Sequence, residues 1–396
     1  MRRVLFLAVL TVGLATLAFP VLAFHDGGVA ECAGCHTMHN SQDGQLVDPT
    51  SPNGNPWLLV DSSPSDVCLS CHAMGLGAVF WNDPLAPPRE IGGGNFTFLL
   101  EDNINDGHGG ATNPILGESA GHSIVAPSMG VGADSILLSA PGGTFPSSLM
   151  SCTSCHDPHG NADFRLLYGV GPVQAGSYTF TAAAPVAAGL GIFGGAPEGN
   201  ANHTAYESGM SAWCGNCHGA FHNNNTQLIH KSGTALGGAY SQIYNLYNGT
   251  DDPTGGVNAT AYLADVPFED LANTTTSTAG PSASSQVSCI SCHRAHATSA
   301  PDAGRWDFAV TLLAEDGLES GSYVIPDPYA SVNQRSLCNK CHVKDVGDHI
   351  ADGDVDLHAG TSMLSRAAAC MTSSSVGMPS SNERTRRPSR RTRARS

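Results

Sequence analysis

The sequence predicts a chain of mostly irregular structure, with short helices and little sheet. Its 396 residues include 46 glycines and 24 prolines, and both residue types interrupt regular secondary structure. Few segments repeat apolar residues at the spacing of a helix or a strand, so the hydrophobic fraction of 41% does not predict a conventional core. Something other than side chains is therefore needed to fill the interior.

The first 23 residues have the composition of a signal peptide. Two arginines precede an apolar stretch that ends in small residues, and this order predicts export with cleavage after Ala23. An uncleaved membrane anchor is the alternative, since the stretch approaches spanning length, but Pro20 and the small residues favour cleavage. We therefore expect a secreted protein that begins at Phe24 and has no membrane span.

The body of the chain is strongly acidic. The formal net charge is −16, and arginines near the two ends account for nine of the 18 basic residues. Between residues 4 and 382, nine basic residues therefore face 33 acidic ones, a balance of −24. Such a surface excludes nucleic-acid binding, which depends on neutralising phosphates, and it suits cationic partners or bound metal ions.

Twelve of the thirteen cysteines form six Cys-x-x-Cys pairs, and each pair is followed at once by a histidine. The cysteines are Cys32, Cys35, Cys68, Cys71, Cys152, Cys155, Cys214, Cys217, Cys289, Cys292, Cys338 and Cys341. The histidines are His36, His72, His156, His218, His293 and His342. Disulfide frameworks, zinc ribbons and thioredoxin-like sites do not require a histidine after every pair.

This pattern is the attachment signature of c-type haem. The two thiols form thioether bonds to the haem, and the adjacent imidazole becomes the proximal ligand of the iron. The sequence thus predicts six covalent haem c groups, and stacked haems would supply the core that the chain lacks. We expect one hexahaem cytochrome domain over residues 24–345, between the signal peptide (1–23) and a divergent, low-complexity, Arg-rich tail (346–396).

Eleven histidines remain after the six proximal ones. This surplus favours bis-histidine ligation, which gives haems of low potential suited to electron transfer rather than to substrate binding. Position and motif context select seven candidates for the distal side of the irons. They are His25, His39, His122, His159, His222, His230 and His296.

Three of these candidates follow a proximal histidine at the same spacing, in CHTMH, CHDPH and CHRAH of the first, third and fifth sites. On a helical turn, residues three apart lie on one face with Cβ atoms roughly 5–6 Å apart. The second histidine, His39, His159 or His296, therefore cannot reach the opposite face of the same haem. It has to serve another haem, and such links would build a continuous haem chain.

Several segments resemble the OmcS-type hexahaem cytochromes, which metal-reducing bacteria secrete and which polymerise into extracellular nanowires. The matching segments include FHDGGVAECAGCHTMHNS, GHSIVAP, CTSCHDPHG, GMSAWCGNCHGAFHN and CISCHRAHA, and they cover most of residues 24–345. The resemblance implies a mostly coil fold with six bis-histidine haems in alternating parallel and T-shaped pairs. It also implies head-to-tail filaments in which His39 ligates the fifth haem, at Cys289, Cys292 and His293, of a neighbouring subunit.

The function expected from these observations is extracellular electron transfer rather than enzymatic catalysis. Conductive filaments would carry electrons to metal oxides, to other redox cytochromes or to partner cells. One alternative is a monomeric periplasmic or surface electron shuttle, which would have the same spectra without polymer. A multihaem oxyanion reductase is the other alternative, and it needs an open iron, which the surplus of histidines disfavours.

Overall fold

The structure is a computed structural model of the chain. It describes residues 32–73, 92–103, 117–190, 198–223, 232–249, 255–306, 308, 329 and 337–342. All six CxxCH motifs lie within these ranges. The expected signal peptide, the expected Arg-rich tail, and the candidate ligands His25 and His230 lie outside the described residues.

Helices in the described residues are short. The α-helices are α1 (Cys32–Cys35), α2 (Pro64–His72), α3 (Gly117–Ala120), α4 (Met210–Cys214), α5 (Gly219–Asn223) and α6 (Gly237–Leu246). Single turns of 3-10 helix, among them Pro56–Leu58, Cys152–Ser154, Phe164–Leu166, Cys289–Ser291, Pro301–Ala303 and Leu337–Lys340, lie between them. The expectation of a mostly irregular chain is confirmed.

Eight short strands form four separate antiparallel pairs in the described part of the chain. The pairs are β1 (Ser41–Gln42) with β2 (Gln45–Leu46), β3 (Gly171–Val173) with β4 (Tyr178–Phe180), β5 (Val186–Ala188) with β6 (Ala205–Ser208), and β7 (Thr234–Ala235) with β8 (Gln286–Val287). The longest strand has four residues. A pair of this size is too small to carry a hydrophobic core by itself.

Each CxxCH motif includes one helical turn. In five motifs the backbone N–H of the histidine donates to the carbonyl of the first cysteine. These bonds are His36 to Cys32 (2.9 Å), His156 to Cys152 (3.0 Å), His218 to Cys214 (3.0 Å), His293 to Cys289 (3.0 Å) and His342 to Cys338 (3.1 Å). The second motif lies in α2. Residues at i, i+3 and i+4 share a helix face, so the turn gathers both thiols and the imidazole on one side.

Among the described residues, many of the buried apolar side chains belong to two separate clusters. The first includes Leu69, Phe96, Phe98, Ile124 and Ala297. The second includes Tyr244, Tyr262, Phe268, Trp306 and Leu337. The first cluster packs against a cysteine of the third motif, and the second packs against cysteines of the fifth and sixth motifs. The two clusters of packed side chains thus lie beside the CxxCH sites, which separate them.

Candidate haem sites

The proximal histidines of the first, third and fifth motifs are held by backbone carbonyls. The contacts are His36 Nδ1 to Trp57 O (3.0 Å), His156 Nδ1 to Arg165 O (2.8 Å) and His293 Nδ1 to Asp302 O (2.9 Å). A carbonyl can only accept, so Nδ1 carries the proton in each ring. Nε2 is left with the lone pair that binds a metal ion.

The three carbonyls belong to tight turns with the same unusual backbone. Two successive residues in each turn have φ between 45° and 60°: Trp57 and Leu58, Arg165 and Leu166, Asp302 and Ala303. Their second carbonyls accept from the residue after the proximal histidine, namely Thr37 (2.7 Å), Asp157 (2.8 Å) and Arg294 (2.8 Å). A residue with a side chain loses roughly 1–2 kcal/mol in this left-handed region. The first, third and fifth sites are therefore three copies of one strained local structure.

A glycine turn performs the same task at the fourth motif. His218 Nδ1 donates to Pro141 O at 2.8 Å, and Ala220 N donates to Gly142 O at 2.7 Å. Gly142 has a φ of 69°. A Cβ atom on Gly143 would lie 1.6 Å from the carbonyl oxygen of Cys217. The turn can therefore approach the motif only because it lacks side chains there.

Neighbouring motifs meet through their cysteines in sequence order. A hydrogen bond with Cys152, and then burial, raises the pKa of Cys68, and Cys289 acts on Cys214 in the same way, raising its pKa. Burial, and then repulsion by a thiol of the next motif, raises the pKa of Cys35 (from Cys71), of Cys155 (from Cys217) and of Cys292 (from Cys338 and Cys341). The six attachment sites thus form one unbroken row. At the first and third junctions the second cysteines of the two motifs interact, Cys35 with Cys71 and Cys155 with Cys217. At the second and fourth junctions the first cysteines interact, Cys68 with Cys152 and Cys214 with Cys289.

The junction between the second and third motifs is built like the junction between the fourth and fifth. In the first of these junctions, Cys152 N donates to Ser65 Oγ at 3.3 Å, and in the second, Cys289 N donates to Ser211 Oγ at 3.3 Å. Each serine stands three residues before the first cysteine of its own motif. The row therefore repeats with a period of two sites.

Two pairs of imidazole rings face each other at the separation that one metal ion requires. The ring centres of His36 and His159 are 6.4 Å apart with planes 12° from parallel. Those of His122 and His218 are 6.0 Å apart at 43°. With metal–nitrogen bonds of about 2 Å, two imidazoles on opposite sides of an ion have centres roughly 6 Å apart. His122 Nδ1 also donates to a carbonyl, Ala295 O, at 2.7 Å. The residues present therefore fit six-coordinate haem iron.

His296 lies near the proximal histidine of the third motif. Burial, and then repulsion from His156, lowers the pKa of His296 to about 3. Its ring packs on Phe96 with centres 4.6 Å apart. Burial, and then repulsion from His122, also lowers the pKa of His218 to about 4. Both imidazoles are thus neutral near pH 7, which is the form that binds a metal ion.

His39 is exposed. The structure does not pair it with another imidazole within the described residues, and in the same ranges no ring faces His293 as His159 faces His36. His222 lies in α5, and its side chain is outside the described part. The structure therefore places His159 at the first motif, His296 at the third motif and His122 at the fourth motif.

The expectation that both histidines of a CHxxH motif share a helical turn is wrong. The chain leaves the helix at the proximal histidine, because that residue forms a β-bridge with the strained turn. The bridges are His36 with Leu59, His156 with Leu167 and His293 with Gly304. His159 instead lies in a turn in which its N–H donates to Asp157 Oδ1 at 2.9 Å. The conclusion drawn from the helix, that the second histidine faces a different site, agrees with the 6.4 Å spacing of His36 and His159.

The sequence motifs did not predict the turn carbonyls that accept hydrogen bonds from the proximal histidines. They follow the first proximal histidine by 21 residues and the third and fifth by nine. Their residues have no shared sequence pattern. His203 lies in a loop, and its ring is buried and stacked on Tyr262 with 3.8 Å between ring centres.

Comparison with known proteins identifies the family. No protein-family model matches the chain. The C-type cytochrome OmcS of Geobacter sulfurreducens is 32% identical, over 86% of this chain and 98% of that protein. This chain belongs to the OmcS family of c-type cytochromes. As a member of that family it carries covalent haem c and transfers electrons, and it is not an enzyme.

Two solved structures have the same fold as this OmcS-type cytochrome. The cryo-EM structure of OmcS nanowires from Geobacter sulfurreducens has a TM-score of 0.67 and 30% identity, over 81% of this chain and all of that chain. The Outer Membrane Cytochrome S filament from the same organism has a TM-score of 0.66 and 29% identity, over the same shares. The fold expected from the sequence resemblance is confirmed. In the described part of this chain, no helix has the length and hydropathy to cross a bilayer.

Proposed function

We propose that this cytochrome carries electrons outside the cell as a head-to-tail polymer with one continuous row of haems. The observation that carries the proposal is the unbroken series of interactions between cysteines of successive CxxCH motifs, from the first motif to the sixth. Bound haem iron supplies one-electron chemistry between its ferric and ferrous states. The chain holds each haem by two cysteines and one proximal histidine, at the twelve cysteines and six histidines of the motifs.

The distal ligands follow a rule that the geometry supports. His159 of the third motif faces His36 of the first at 6.4 Å, and His296 of the fifth lies near His156 of the third. The second histidine of each CHxxH motif thus serves the preceding CHxxH motif. His122 serves the fourth site from the 120–122 segment, opposite His218. The second and sixth sites then take ligands from His25, His222 and His230.

The same rule assigns His39 to a neighbouring subunit. His39 belongs to the first CHxxH motif in these 396 residues, so the rule pairs it with no site among them. His293 of the fifth motif is the proximal histidine for which the rule supplies no partner within the chain. A bond from His39 to the fifth haem of the next subunit satisfies both. A contact of this heterologous type does not close on itself and produces an open filament.

The surface around His39 suits burial against another subunit. Met38 is 79% exposed, Trp57 is 68% exposed and Leu58 is 53% exposed. The last two are tied to the first motif, because Thr37 N donates to Leu58 O at 2.7 Å. An apolar group of this kind next to an exposed ligand marks an interaction site. Its burial would oppose the repulsion between acidic subunits, which salt also screens.

The proposed path to the extracellular space begins with removal of residues 1–23, so that the hexahaem domain of residues 24–345 carries the function. The acidic body repels anionic partners and attracts cations and positively charged mineral surfaces. Metal oxides and other redox cytochromes are accordingly the partners we propose.

The test is His39→Ala in the secreted full-length protein, with Gln42→Ala as a matched control. Gln42 is also exposed and lies three residues further along. We expect the wild type and Gln42→Ala to form filaments in negative-stain microscopy. His39→Ala should remain monomeric with six haems by mass, one of which becomes high-spin. Added imidazole should restore the low-spin spectrum without restoring polymer.

Filaments of His39→Ala with normal haem spectra would overturn the assignment of His39. Wild-type protein that stays monomeric with six low-spin haems would overturn the filament and favour the electron shuttle. Binding of CO or nitrite by the wild type would favour a reductase.

A further inference from the structure

The sixth motif is the one that places a charged residue between its cysteines. The intervening pairs in the six motifs are AG, LS, TS, GN, IS and NK. The lysine of the last pair is Lys340, and it is fully buried, with 0% of its surface exposed. A buried ammonium requires partners, because it has lost its hydration.

Lys340 is held by carbonyls and aromatic rings. Its Nζ donates to Tyr244 O at 3.0 Å and to Ala261 O at 2.9 Å. The same atom lies 4.0 Å from the ring centre of Tyr244, and the rings of Tyr247 and Tyr329 are 5.7 and 5.5 Å away. An ammonium has three donors, of which two meet carbonyls and the third meets ring faces that attract cations.

The cage is rigid and contains no counter-charge. Tyr244 is 1% exposed; its hydroxyl donates to Val266 O at 2.8 Å and accepts from Leu263 N at 3.2 Å. Within the described residues, no carboxylate lies within 4.0 Å of Lys340 Nζ. No described carboxylate therefore compensates this positive charge, which lies beside two cysteines that hold a haem under the proposed function.

We propose that Lys340 is a buried positive charge that raises the reduction potential of the sixth haem. Reduction adds one electron to the iron, and a nearby buried cation stabilises the added charge because the interior screens it poorly. No residue at the matching position of the other five motifs is charged. The sixth site thus becomes the preferred electron acceptor at that end of each subunit. The inference rests on the proposed haem attachment and is independent of whether the subunits polymerise.

The experiment is a redox titration of haem-loaded full-length protein, followed by optical spectra. Variants Lys340→Met and Lys340→Gln remove the charge, and Lys340→Gln keeps two N–H donors for the carbonyls. Lys340→Arg keeps the charge. Asp43→Asn is the control for an exposed charge at another site. The titration is run at about pH 6, well below the ordinary pKa of a lysine ammonium.

We expect both neutral variants to lower one of the six midpoints by at least about 59 mV, which is a tenfold change in the equilibrium constant of a one-electron couple. Lys340→Arg and Asp43→Asn should leave that midpoint near the wild-type value. Unchanged midpoints in Lys340→Gln with six bound haems would overturn the proposal. So would an equal shift in Lys340→Arg, because packing rather than charge would then be responsible. If Lys340→Met binds fewer than six haems, Lys340→Gln decides.

Discussion

Gly121 is a position at which one added methyl group should disturb the haem row. An alanine Cβ there would lie 2.1 Å from the carbonyl oxygen of His296 and 2.5 Å from the next Cα atom, and both are backbone atoms. Two backbone bonds join the same segments, from His122 to His296 (2.9 Å) and from Thr298 to Ala120 (2.8 Å). Overpacking costs about 1–3 kcal/mol, and each lost bond adds about 1 kcal/mol. Gly121→Ala should therefore destabilise the protein by roughly 3–5 kcal/mol.

The assay compares Gly121→Ala with Gly132→Ala by guanidinium unfolding, followed by circular dichroism. Gly132 has open space around the added Cβ, so it controls for the change in backbone entropy. In Gly121→Ala we also expect one haem in six to become high-spin, because the displaced segment moves His122 away from His218. Equal midpoints for the two variants, together with six low-spin haems, would refute this reasoning.

Two further predictions concern single side chains. His159→Ala removes the ring that faces His36, so one haem in six should bind CO, whereas the wild type should bind none; CO binding by neither protein would contradict the assignment. Hydrogen bonds from Thr50 and Asn55 lower the pKa of Asp48 to about 2, from an ordinary value of 3.8. Because the folded pKa is the lower one, this stabilisation is complete above the unfolded pKa and is lost as the pH falls through the folded pKa. The stability difference between wild type and Asp48→Asn should thus shrink from about pH 4 to about pH 2, and a constant difference in urea unfolding would contradict it.

The attachment sites could be predicted because their geometry is local. One helical turn fixes residues at i, i+3 and i+4, so the spacing in CxxCH already determines which side chains meet. Exclusion also predicted that His159 serves another haem. Which haem His159 serves depends on how distant segments pack, and the spacing of residues in the sequence does not determine this. Lys340 was missed for the same reason, since its tyrosine cage comes from α6, from Tyr247 directly after it and from Tyr329.

The strained turns could not be predicted from their residues. A turn with two successive residues at positive φ normally contains Asn, Asp or Gly, but Trp57-Leu58 and Arg165-Leu166 contain none of these. Two hydrogen bonds from the neighbouring CxxCH motif hold each turn in place, so tertiary contacts overrule local preference. By contrast, Pro141-Gly142 at the fourth site is an ordinary turn sequence.

The two-site period of the row also bears on how subunits join. Ser65 and Ser211 lie at junctions where an even-numbered site is followed by an odd-numbered one. Under the proposed function, a contact between the sixth site of one subunit and the first site of the next is also of this type. The sequence has no serine at the positions that would match in this intersubunit contact. Arg335 stands three residues before Cys338, and Glu31 stands where a serine precedes the third and fifth motifs. Under the proposed function, the intersubunit junction therefore has neither of the serines found at the two internal ones. Under the proposed function its strength has to come from His39 and the apolar surface beside it, which makes assembly more sensitive to that one ligand than to any internal serine.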